Sequence, residues 1–301
     1  MRTSAAINFA RILVAVDGSE NALRACSAAA SITKSYSSEV TVLHVIPGAS
    51  TATGPSGEED YANSAKEAKK VIEKASSLVE KEGLKAIRKI RGTRTSVVQT
   101  ITEFANSSKS DLIVLGTRGL GGFRRMLIGS VSSGVVAQAG CPVLVVRMRP
   151  SEESVQFKRI LVSVDGSESA SRAVTVAIDL CKRMAATLSV LHVMHIPSSV
   201  YSAAGPGLVP LDKIAREAMQ EAEKFVSAAV SAAKEEGVEA KEEIVQDTQS
   251  PVWGITHYAE KNEIQLIVLG TRGLGGFRRL LLGSVAGGVV SYAHSSVLVV
   301  R

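Results

Sequence analysis

Residues Gly116–Ser130 read GTRGLGGFRRMLIGS, and residues Gly270–Ser284 read GTRGLGGFRRLLLGS. The duplication extends far beyond this segment. RILVAVDGSE (Arg11–Glu20) returns as RILVSVDGSE (Arg159–Glu168), and VTVLHVIP (Val40–Pro47) returns as LSVLHVMHIP (Leu188–Pro197). VLVVR closes each half, at Val143–Arg147 and Val297–Arg301. A repeat of about 150 residues is a whole domain and not a solenoid unit. The sequence therefore predicts a domain over residues 1–147, a polar linker with a proline over residues 148–157, and a second domain over residues 158–301.

Within each half, short apolar runs alternate with helical stretches. RILVAV, VTVLHVI, KAIRKIR, DLIVLG and VLVVR predict five strands in the first half. ILVAV and LIVLG are apolar without alternation, as in strands covered on both faces. Residues 21–35 form an alanine-rich helix, and residues 65–81 place Ala68, Val71, Ile72, Ala75, Leu78 and Val79 on one helical face before a capping Gly83. Further helices are predicted over residues 95–107 and 130–139, and the second copy of the long helix over 213–236. GASTATGPSGEED (Gly48–Asp60) and YSAAGPGLVP (Tyr201–Pro210) read as connecting loops. Alternating strands and helices imply two tandem doubly wound α/β domains, each a parallel sheet flanked by helices.

Composition narrows the classes of function. With 35 basic and 29 acidic residues the net charge is +6, a mild preference for anionic partners. The basic residues are scattered and aromatics are only 4%, which argues against nucleic-acid binding. Cys26, Cys141 and Cys181 make neither a disulfide framework nor a zinc motif, so a reducing, cytoplasmic setting is expected. The start lacks a signal-peptide pattern, and no apolar run approaches the ~18 residues of a membrane span.

Glycines just past a strand let the backbone turn tightly and approach a ligand. A helix then begins near Gly129-Ser130, and its first amides have no partner inside the helix. Such a turn binds phosphate. Ser130 adds a hydroxyl, and Arg118, Arg124 and Arg125 add positive charge nearby. The alternative is that the glycines only shape a loop and Ser130 only caps a helix. Neither G-x-x-x-x-G-K-[ST] nor G-x-G-x-x-G occurs here. In open parallel sheets ligands bind beyond the carboxyl ends of the strands. There the first strand carries Asp17 and Ser19, and its copy carries Asp165 and Ser167. A carboxylate suits ribose hydroxyls or an adenine amino group, although both residues also suit a helix cap. Backbone groups at Val45 and Val193 would meet a base edge, while His44 reads as a packed strand residue.

With G-x2-G-x9-G-[ST] at Gly116, Gly119, Gly129 and Ser130, and again at Gly270, Gly273, Gly283 and Ser284, together with VDGSE, LHV and CPVLVV, the chain resembles a tandem universal stress protein. The resemblance spans nearly all of both halves. It implies a five-stranded sheet of order 3-2-1-4-5 in each half, binding ATP or ADP/AMP, with Mg²⁺ carried by the phosphates. It also implies an internal pseudo-dimer of the two halves through their last strands, and a homodimer. By carry-over, Asp17 and Val45 hold the adenosine end, while Gly116, Gly119, Gly129, Ser130, Val131 and Ser132 surround ribose and phosphates. The matching residues in the second half are Asp165, Val193, Gly270, Gly273, Gly283, Ser284 and Val285. Ala286 departs from Ser132, which predicts weaker phosphate contacts there. The expected function is a nucleotide-dependent regulator or binding module in a stress response. A nucleotide-free scaffold and a slow ATPase are the alternatives; no base inside the glycine segment is placed to orient a water.

Overall fold

The computed structural model describes residues 8–48, 55–93, 96–117, 128–147, 155–195, 211–246, 249–271, 273 and 282–301, with 55–61 and 211–212 described by their backbone. The chain divides into two compact units: Met1–Gln156 with Ser296–Val299, and Phe157–Ser295 with Val300–Arg301.

The first unit runs β1 (Arg11–Val16), α1 (Glu20–Tyr36), β2 (Glu39–Pro47), α2 (Pro55–Lys81), β3 (Ala86–Thr93), α3 (Val97–Ser107), β4 (Leu112–Gly116), α4 (Ser130–Gln138) and β5 (Val143–Val146). The strands lie in the order β3-β2-β1-β4-β5, all parallel. Ser296–Val299 also belongs to this unit, where Val297, Leu298 and Val299 pair antiparallel with Val145, Leu144 and Val143. The sheet therefore differs in detail from five parallel strands, because a sixth, antiparallel strand satisfies the open edge of β5. The second unit runs β6 (Arg159–Ser163), α5 (Glu168–Met184), β7 (Thr187–Met194), α6 (Leu211–Glu235), β8 (Ala240–Gln246), α7 (Pro251–Lys261), β9 (Leu266–Gly270) and α8 (Ser284–Tyr292). Here β9-β6-β7-β8 repeats the order of β4-β1-β2-β3, again parallel. The α/β class, with a mostly parallel sheet flanked by helices in each of two tandem units, is as the sequence implies.

The central strands need cover on both sides. Leu13, Val14, Leu43, Ile113, Val114 and Leu144 are fully buried, each a contribution of roughly 1.5–3 kcal/mol. Helix α1 supplies one cover with Ala25, Ala28 and Ala29, all at zero exposure. Such small side chains let a helix lie close to the sheet. The helix starts where Ser19 Oγ accepts from Ala22 N–H at 3.2 Å and stops at Ser37, in the left-handed region at φ 54. Helix α2 buries Ala68, Ile72, Ala75 and Val79, as its periodicity predicts. It begins ten residues earlier than the expected helix, at Pro55, so Pro55–Asp60 extends the helix and is not loop. Proline suits a first helical turn because its missing N–H would have no intrahelical acceptor there. The edge strand β3 keeps Arg88, Lys89 and Arg91 in solvent, which blunts it against a further strand. The expected loop Tyr201–Pro210 lies outside the described residues.

Cys26 and Cys181 are buried in α1 and α5, and Cys141 is half-buried. Burial pushes both buried thiols up to about 12. Only about one part in ten thousand of each is then the reactive thiolate at pH 8. Native protein at pH 8 is expected to release one equivalent of thionitrobenzoate from Ellman's reagent, at Cys141, and three after denaturation. Two or more fast-reacting thiols in the native state would contradict the packing of α1 or α5.

Candidate functional site

The chain turns at the carboxyl end of β1 through Asp17-Gly18-Ser19. Gly18 has φ +88, a conformation that favours glycine. Asp17 Oδ1 accepts from Ser19 N–H at 3.0 Å, while Ser19 caps α1. Ser19 therefore does take the capping role. Asp17 is held by its own turn with its carboxylate at the strand end. The second unit repeats the arrangement: Gly166 has φ +79, Asp165 Oδ1 accepts from Ser167 N–H at 3.0 Å, and Ser167 caps α5.

Beyond the strand ends of the first unit lies a cavity of about 920 Å³, large for a small-molecule pocket. It brings together Asp17, Val45, Gly116, Gly129, Ser130, Val131 and Ser132, all singled out in the sequence. Val45, Ile46, Ile101 and Leu115 give it apolar walls. Gly119 and the three arginines at 118, 124 and 125 fall outside the described residues. Helix α2 adds Asn63, Ser64, Glu67, Ala68 and Val71 to the lining. Sequence reasoning missed this wall because Ala68 and Val71 read only as core positions. Their one distinguishing signal is that they sit nearer the start of α2 than Ala75 and Val79, toward the strand ends.

The starts of α4 and α8 differ from those of α1, α3, α5 and α7. Helices α1, α3, α5 and α7 begin with a serine whose hydroxyl accepts from a first-turn amide. Helices α4 and α8 begin with Gly129 and Gly283, which have no side chain to supply such a cap. The first turn of α4, at the positive end of the helix dipole, borders the cavity with Gly129, Ser130, Val131 and Ser132. Two groups expected to face phosphate have partners within the protein. Gly129 N–H donates to the Thr117 carbonyl at 2.6 Å, and Ser132 Oγ donates to the Gly116 carbonyl at 2.6 Å. The first bond closes the base of the glycine segment, and the second ties α4 to β4. Gly283 N–H repeats the first at 2.7 Å to Thr271. Ala286 cannot repeat the second.

His44 lines the cavity as well. Its Nδ1 lies 2.7 Å from the Val16 carbonyl, and a carbonyl only accepts. Nδ1 is therefore the donor in this bond. His192 makes the same bond to Val164 at 2.8 Å. Two carboxylates face the space: Asp17, and Glu67, which is paired with Lys70 Nζ at 2.9 Å. Apolar walls, two acceptors and a helix start without a side-chain cap from its own N-cap residue suit a ligand with an apolar ring, hydroxyl or amino donors, and an anionic tail.

In the second unit Asp165 lies directly against Gly273, where a Cβ would overlap its carboxylate. Val193 is buried, and Gly283 and Ser284 are at least partly exposed. Gly283, Ser284 and Val285 start α8 as Gly129, Ser130 and Val131 start α4.

The Universal stress protein family has a sequence model that matches residues 8–147 and again 156–301. A universal stress protein of Mycobacterium tuberculosis is 30% identical over 313 residues, covering 96% of this chain and 96% of its own. One from Mycolicibacterium smegmatis is 28% identical over 300 residues, with 96% of each chain covered. Among solved structures, a universal stress protein from Archaeoglobus fulgidus superposes with a TM-score of 0.69 at 23% identity, covering 98% of this chain and 97% of its own. That last likeness speaks to the fold.

The glycines that end β4 and β9 are fixed by packing. A Cβ on Gly116 would lie 2.5 Å from the main-chain carbon of Asn21 in α1, and one on Gly270 would lie 2.6 Å from that of Ser169 in α5. Main chain cannot swing aside as a side chain can. Gly116→Ala and Gly270→Ala are each expected to destabilise the protein by about 3 kcal/mol in urea denaturation. A loss under about 0.5 kcal/mol would show that the helix-to-strand approach is looser than described.

Proposed function

The chain belongs to the universal stress protein family, and on that premise we propose that its first unit binds an adenine nucleotide, ATP foremost, as a nucleotide-dependent regulator in the cytoplasmic stress response. The observation that carries this reading is the glycine-capped start of α4 on an apolar cavity that the Asp17 carboxylate also lines. The walls at Val45, Ile46 and Ile101 take the base. Asp17 accepts from a ribose hydroxyl, and Val45 offers its main chain to the base edge. The amides of Ser130, Val131 and Ser132, with the Ser130 hydroxyl, hold phosphate oxygens. Gly116 and Gly129 contribute by keeping side chains out of the way. Mg²⁺ arrives on the phosphates; Asp17 is the nearest lining carboxylate in sequence to the strand ends, and its charge is better matched to donors than to phosphate. Asp165, Val193, Gly270, Gly273, Gly283, Ser284 and Val285 are the corresponding frame of the second unit. Among the described residues no helix is long and apolar enough to cross a membrane.

Isothermal titration with ATP, adenosine and inorganic phosphate tests the reading. Asp17→Ala is expected to weaken ATP by about 10–100-fold, the loss of a hydrogen bond to a charged group. Gly129→Asp is the sharper variant. Its backbone, at φ −78 and ψ 156, suits an N-cap aspartate, which would satisfy the α4 amides from within and repel phosphate. Its melting temperature is expected to hold while ATP affinity falls at least tenfold and adenosine affinity changes little. Equal ATP affinity in Gly129→Asp would remove the phosphates from α4, and no heat at millimolar ATP would end the proposal. Sedimentation across a concentration series separates a 31.6 kDa chain from the homodimer that the same reading includes.

A further inference from the structure

The two units keep the same frame at their strand ends but differ in one large side chain. The long helices align without a gap: KKVIEKASSLVEKEG in α2 faces EKFVSAAVSAAKEEG in α6. Val71 and Phe225 stand at the same position, each twelve residues ahead of the glycine that ends its helix. Those glycines, Gly83 and Gly237, share the left-handed conformation at φ +78 and +74. Gly18 and Gly166 are likewise equivalent, as are His44 and His192.

In the first unit Val71 leans on the turn after β1. A Cβ on Gly18 would come 2.9 Å from Val71 Cγ2. The valine then stops, and the volume beyond it is the cavity that Val71, His44 and Asp17 line together. In the second unit the ring of Phe225 presses on Gly166 so closely that a Cβ there would overlap it. The same ring reaches His192, centroid to centroid at 5.6 Å and tilted by 57°. A ring touching both the turn after β6 and the histidine of β7 spans the two positions whose counterparts, His44 and the Asp17-Gly18 turn, border open space in the first unit. The position three residues earlier does not shrink in compensation, since Ala222 stands where α2 has Ala68.

We propose that Phe225 decides which unit binds nucleotide: its ring takes up the base-and-ribose end of the second site, so that wild-type chain holds adenine nucleotide in the first unit alone. The inference rests on the first unit's reading as an adenine-nucleotide site. It replaces Ala286 as the cause of the difference between the units. The hydroxyl that Ala286 lacks is, in Ser132, bonded to the Gly116 carbonyl, so its loss takes a tie between helix and strand more than a phosphate contact. The acidic turn and the glycine start of α8 are retained in the second unit, so one substitution is expected to lift the block.

Nucleotide stoichiometry measures this directly, by titration calorimetry with ATP and by mass spectrometry of nucleotide released on denaturation, with thermal melts to verify folding. Wild-type chain is expected to bind one nucleotide, Phe225→Val two, and Val71→Phe none. Phe225→Ala is the second opening variant, and if Val71→Phe fails to fold, the two Phe225 variants decide. Two nucleotides on the wild-type chain would overturn the inference. So would one nucleotide on both Phe225 variants, or one on a folded Val71→Phe. A wild-type chain that binds none while Phe225→Val binds one would keep the role of Phe225 and refute the first unit's reading. No binding in any variant would refute both.

Discussion

In each unit two strands from distant parts of the repeat lie side by side and run the same way. Ile12 pairs with Leu112 and Ala15 with Leu115 in the first unit, and Ile160 pairs with Leu266 in the second. Over the paired residues both partners are apolar and buried. Polar groups have no place within such a pair, so they collect where the strands stop. Because the strands are parallel, they stop at the same edge. Asp17 after β1 and Gly116 at the end of β4 are about a hundred residues apart in sequence and come together through this pairing.

Serine and glycine are used for opposite ends at helix starts. A serine cap closes off the first-turn amides of α1, α3, α5 and α7 within the protein. Glycine at the start of α4 and α8 supplies no such side chain, at a cost of only a few tenths of a kcal/mol relative to a serine cap. The small cost leaves a patch of positive potential facing the cavity. The bonds from Gly129 and Gly283 to Thr117 and Thr271 tie the start of each helix to the residue just past the preceding strand.

Duplication preserved main-chain geometry more strictly than it preserved side-chain volume. The positive-φ glycines, the aspartate turns, the histidine bonds to β1 and β6, and the glycine caps all recur. Each fixes backbone conformation, and each would strain the fold if changed. Val71 and Phe225 fix nothing of that kind. Either side chain buries apolar surface against a glycine, so that position was free to diverge while both units went on folding.

Much of this was legible in the sequence. The repeat, the parallel α/β class, the buried strands and the pairing of an aspartate turn with a glycine segment follow from local patterns, because periodicity reports which faces are buried and glycine reports where backbone turns. Other features depended on distances between elements that no local pattern encodes. The extension of α2 back to Pro55 was hidden by loop-like composition. The bond from Ser132 to Gly116 needed the register of α4 against β4. A helical face looks equally apolar whether it meets a strand or a void, so only the folded chain shows that Val71 borders open space while Phe225 reaches across to Gly166 and His192.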